Sequence, residues 1–200
     1  MKLNKAAMFG LDARIALAIF GALSVISGAA LYSAIKSAKV VSFHNQLEEI
    51  SKAYEQYYLD TGSHLPYRAG ISDATLLAAD LVEDNSVSGW NGPYINATRN
   101  DVHYLTLPTA FGTTSLFIYQ CTDTFGGDFS NVACPACNGA TPCSVWIKSG
   151  GSTFGSDNAL NLDEQIDGGD GIDAGKFRVQ YADAAVSNNV RIFYKIMPMK

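Results

Sequence analysis

Apolar residues follow two different patterns along the first sixty positions, and the change between them is the main signal in the chain. From Ile15 to Ile35 (IALAIFGALSVISGAALYSAI) no residue is charged, so the helix that such a run predicts is apolar all round. From Val40 the pattern narrows. Val40, Phe43, Leu47, Ile50, Tyr54 and Tyr57 recur three or four apart, the stripe of one helix face, while Asn45, Glu48, Glu49, Lys52 and Glu55 take the other. At about 1.5 Å per residue the uncharged run spans roughly 30 Å, the thickness of a bilayer core, and the segment to Asp60 reaches about 70 Å. One long helix over 11–62 is expected, transmembrane over 15–35 and amphipathic below. Gly62 should end it as a left-handed cap, and Pro66 prevents its resumption.

After the helix, Asp73 is placed to cap a short helix through Leu76, Leu77, Leu81 and Val82. Strands are expected at 102–107 (VHYLTL), 115–121 (SLFIYQC), 143–148 (CSVWIK), 177–182 (FRVQYA) and 190–196 (VRIFYKI), each rich in β-branched and aromatic residues and bounded by turn formers. The connections suit an antiparallel sheet, whose apolar side needs a cover that the lower half of the long helix can supply. Clustered glycines from Gly150 to Gly175 mark a loop-rich C-terminal third. The fold class is therefore α+β, with residues 63–200 as one globular domain large enough for its own core.

Charge places the two parts. Lys2, Lys5 and Arg14 precede the uncharged run, which keeps the N-terminus cytoplasmic and exports the residues beyond Ala38, against a weaker opposing pair in Lys36 and Lys39. A cleaved secretory signal is the competing reading; its apolar core is usually shorter, and a discarded peptide has no reason to continue in register into an amphipathic stripe. Residues 63–200 carry eight Lys or Arg against fourteen Asp or Glu. That surface repels phosphate, so nucleic acid is not an expected partner.

The leader MKLNKAAMFG ending in Gly10 before an apolar helix, the helix end YEQYYLDTGSHLP and the later GWNGPYI together resemble the type IV pilin superfamily, most of all the pseudopilins of type II secretion systems. The resemblance implies a 1–10 leader removed by a prepilin peptidase between Gly10 and Leu11, methylation of the new terminus, and a filament in which the helices of this chain or of other pilin-like subunits stack, raised by assembly machinery in a bacterial inner membrane. The exported domain is then periplasmic or extracellular. The family usually has a glutamate as the fifth residue after the cut, where it neutralises a neighbour's terminal amine; here that position is Ile15, and the nearby charges, Asp12 and Arg14, are placed to form their own pair at the membrane edge. A buried unpaired ammonium is costly, so either another carboxylate serves or the site differs. The rival reading from another class is a monomeric, membrane-anchored binding domain.

Cys121, Cys134, Cys137 and Cys143 all lie in the exported part, and four cysteines in an oxidising compartment read as two disulfides. Three pairings are open. With 115–121 and 143–148 as neighbouring strands, Cys121–Cys143 closes the loop and leaves Cys134–Cys137 inside it. A zinc site is disfavoured because only one CxxC is present, and a redox-active CPAC because that motif normally opens a helix. Asp163, Asp167, Asp170 and Asp173 fall close together among glycines, and carboxylates on a tight loop suit calcium. The resemblance points the same way, since major pseudopilins bind calcium in their C-terminal loop. Asp167, Asp170 and Asp173 are the candidate ligands, but the alternating D-x-D spacing of a calcium loop is not reproduced, and a solvated acidic turn after a short helix is the reading placed first. His44, His64 and His103 are too scattered to form a site, and no catalytic constellation stands out, so no enzyme is expected.

Overall fold

A computed structural model describes the chain apart from residues 1–4, 69–73, 129–133, 138, 152–153, 182–189 and 200. It divides into two compact units, Met1–Lys39 and Val40–Lys200. Helix α1 spans Lys5–Thr61. It stops where the sequence places the stop: Gly62 has φ 68° and its N–H donates to the Tyr58 carbonyl at 2.9 Å.

The second unit is α+β. Six strands form an antiparallel sheet in the order β1 (Thr98–Asp101), β2 (Tyr104–Thr109), β3 (Gly112–Thr122), β5 (Cys143–Gly151), β7 (Val190–Met199), β6 (Phe177–Tyr181), and a two-residue β4 (Gly127–Asp128) adds to β6 in parallel. Alternation along the strands separates two faces. Leu105, Leu107, Leu116, Ile118, Val145, Ile147, Val179, Ile192 and Tyr194 form one buried cluster with Val40, Phe43, Leu47, Ile50, Tyr54 and Tyr57 of α1. The helix is further tied to the β2–β3 hairpin by Gln46 Nε2 donating to the Pro108 carbonyl at 3.0 Å and by the Phe43 and Phe111 rings at 5.7 Å. At about 1.5–3 kcal/mol per large apolar side chain buried, the six helix residues contribute on the order of the whole net stability of a domain. On the opposite face Trp146 and Phe193 pack with Phe125, Ala74, Cys121 and Cys134 as a smaller cluster.

Several local expectations are corrected. The first expected strand starts at Tyr104 rather than at 102, because Val102 and His103 form the turn from β1, an exposed edge strand of sequence TRND that carries no apolar alternation. In place of a helix through Leu76 to Val82 there is a 3-10 turn over Ala78–Leu81; Thr75 and Leu76 are instead in β-bridges to Tyr119 and Tyr67. Asp73 lies outside the described residues. Within the glycine-rich third, α2 runs over Ser156–Asp167 and buries Ala159, Leu162 and Asp163. Gly168 caps it at φ 71°, its N–H donating to the Glu164 carbonyl at 3.1 Å.

Candidate functional site

The first candidate site is the apolar stem. Leu17, Phe20, Val25 and Tyr32 are each more than 70% exposed, although they are as apolar as any core residue. From Gly10 to Thr61 the chain has one helix long and apolar enough to cross a membrane. Gly10 is inside that helix, with open space where a Cβ would stand, and Leu11 beside it is exposed. Ile15, at the position of the family's glutamate, is half exposed. The expected pair of Asp12 with Arg14 is not present among the described residues, because side chains two apart on a helix point away from each other.

The four cysteines form two disulfides, but Cys121 pairs with Cys134 and Cys137 with Cys143. The expected Cys121–Cys143 and Cys134–Cys137 pairs are both replaced, and the register gives the reason. On β3 and β5, Cys121 stands opposite Ser144 and Thr122 opposite Cys143. Adjacent residues of a strand point to opposite faces, so this one-residue offset turns the two thiols to different sides of the sheet. Cys121 instead meets the returning segment, where Ala136 bridges to it and the Pro135 carbonyl accepts from Thr122 N–H at 2.9 Å.

The second candidate is an acidic cluster at the end of α2. Asp163, Asp167 and Asp170 each offer an oxygen, and these atoms all lie within 4.8 Å of one another. Asp173, expected as a ligand, does not join them: its backbone abuts Gly126, where an added Cβ would stand 2.4 Å from the Asp173 Cα. Asp163 replaces it because α2 carries residues 163 and 167 on one face, four apart. That spacing is visible in the chain, but it becomes a signal only once both residues are placed on the helix rather than on the acidic turn.

The cluster's surroundings are tight. Asp167 Oδ2 accepts from the Phe177 N–H at 2.6 Å, at the start of β6. A Cβ on Gly175, whose φ is 67°, would fall 2.4 Å from Asp167 Oδ2 and 2.7 Å from Asp170 Oδ2. Asp163 is 4% exposed and its Oδ1 has no hydrogen-bond partner among the described residues. Burial pushes its carboxyl above the ordinary aspartate value, and the nearby Asp170 adds to this, while the Gly171 N–H acts in the opposite sense. Arg178 donates from Nη1 to the Asp123 and Phe125 carbonyls at 2.9 and 2.7 Å, and its charge acts on Asp170 and Asp167 of the cluster. Three converging carboxylates, one with an orphaned buried oxygen, fit a hard divalent cation such as calcium.

The histidines are separate packing residues. His64 Nδ1 lies 2.8 Å from the Tyr54 hydroxyl, His103 packs on Tyr104 and Phe117, and His44 neighbours Glu48.

Comparison of the chain with family models, curated proteins and solved structures returned no match.

Proposed function

We propose that this chain is a structural subunit of a pilus or pseudopilus filament, pilin-like in architecture, held in a bacterial inner membrane with its N-terminus cytoplasmic and polymerising through its N-terminal helix. The observation that carries the reading is the contrast within α1: an apolar stem exposed all round, followed by a stripe buried on an antiparallel sheet. An exposed apolar stem of this length needs lipid or other stems around it, and a filament supplies both in turn. The partners are copies of this chain or other pilin-like subunits, the inner-membrane assembly machinery, and a prepilin peptidase acting between Gly10 and Leu11. Calcium held by Asp163, Asp167 and Asp170 is the one cofactor proposed; it would neutralise the carboxylates and brace the start of β6.

The processing step gives the test. In cells with an active prepilin peptidase, mass spectrometry of membrane-extracted protein should find a mature chain beginning at Leu11, and Gly10→Val should leave the leader attached. An intact leader on the wild-type chain, or removal of the whole apolar run, would overturn the proposal in favour of an ordinary membrane anchor or a secretory signal.

A further inference from the structure

The segment that joins β3 to β5 is stapled twice, and the two staples differ in how they can be reached. Cys121 and Cys134 are 0% and 9% exposed and belong to the layer of Phe125, Trp146 and Phe193 on the sheet face away from α1. Cys137 and Cys143 are both only partly buried. They also close the shorter loop, with a sequence separation of 6 against 13. A thiolate has to reach a disulfide sulfur to attack it, which favours the outer pair. A shorter loop also restricts the unfolded chain less, so its disulfide adds less stability to the fold.

We propose that Cys137–Cys143 is a reducible clasp that opens to an external dithiol while Cys121–Cys134 stays closed. The thiolate of the dithiol attacks one sulfur of the clasp and forms a mixed disulfide, releasing the other cysteine as a thiol. The second thiol of the reductant then displaces the remaining cysteine. Two electrons and two protons pass to Cys137 and Cys143, and the dithiol leaves as its own disulfide. The turn ahead of β5 is thereby released. The rest of the segment keeps its hold, because the Thr122 N–H donates to the Pro135 carbonyl at 2.9 Å and Cys134 remains bonded to Cys121, while the turn itself is then held by the Asp123 N–H donating to the Pro142 carbonyl at 3.0 Å. The inference rests on the cysteine geometry alone and stands apart from the filament reading.

The test is timed reduction of the full chain in detergent with dithiothreitol, quenched by alkylation and read by peptide mapping. Cys137 and Cys143 should be labelled at least ten-fold faster than Cys121 and Cys134, with the near-ultraviolet circular dichroism of the aromatic layer unchanged through that first phase. Appearance of all four thiols together, or of Cys121 and Cys134 first, would overturn the proposal. A Cys137→Ser, Cys143→Ser double variant should lack the fast phase and keep its melting temperature within a few degrees; a fast phase that persists in it would equally contradict the assignment.

Discussion

The two halves of α1 both carry large apolar side chains and yet hold them in opposite surroundings. In the stem, Val25 and Tyr32 are 73% and 74% exposed; in the lower half, Tyr54 and Tyr57 are fully buried. The difference is one of arrangement: the stem has no polar face to turn toward water, so no packing against one sheet could cover it, whereas the lower half carries a stripe about as wide as a sheet can cover. A helix apolar on every side points to a solvent other than water, and a striped one to a core. On the proposed reading the same chain segment serves two roles that should be separable by experiment.

Deletion breaks the comparison most severely. A chain beginning at Val40 should be soluble and cooperatively folded, while one beginning at Ser63 loses the six large apolar side chains of the stripe and should aggregate; denaturant unfolding followed by tryptophan fluorescence distinguishes them. Equal folding of both would mean that the stripe is not part of the core. Next comes the same substitution in each half. Leu47→Asp places a carboxylate against the sheet and should unfold the domain, by the roughly 2–5 kcal/mol of a lost core leucine plus the cost of burying the charge. Val25→Asp should leave the domain's melting curve unchanged and cost about 2.5–3.5 kcal/mol on membrane insertion.

Within the second unit the effects are smaller. Replacing Cys121 and Cys134 by serine should cost about 3 kcal/mol of stability, by the loop-closure rule for a loop of this length, measured by chemical denaturation of the oxidised protein. Calcium at about a hundred times its dissociation constant should add about 2.7 kcal/mol, seen as a rise in melting temperature. That rise should vanish in the double variant Asp163→Asn, Asp170→Asn, and a rise retained there would locate the ion elsewhere.

The smallest effect is one of pH. Asp80 is almost fully buried; burial raises its carboxyl above the ordinary value, outweighing the lowering by the Asn85 hydrogen bond and by Arg99. With the folded value above the unfolded one, the folded state holds the extra proton, so this group's stabilisation is present below the unfolded value and is lost as pH rises through the folded one. Asp80→Asn should flatten that part of the stability profile in the acid range. An unchanged slope would show that Asp80 does not titrate there.

Legibility in the sequence tracks the range of the interactions. The stripe, its stop at Gly62 and the five main strands are local patterns, and the structure has them within a few residues. The edge strand β1 is polar and announces nothing. Helix α2 is diluted by acidic and amide residues, and placing its last turn in the acidic loop hid the face shared by Asp163 and Asp167. The disulfide pairing depended on whether Cys121 stood opposite Cys143 or one residue away, a register set by contacts across the whole sheet.

If the stem drives assembly while the domain folds independently of it, the most direct test is electron microscopy of inner membranes from cells expressing the full chain, its prepilin peptidase and its assembly machinery. Filaments are expected with the wild type and none with Val25→Asp, although the variant domain remains folded. Absence of filaments with the wild type despite a mature terminus at Leu11, or filaments that persist with Val25→Asp, would contradict that division of roles.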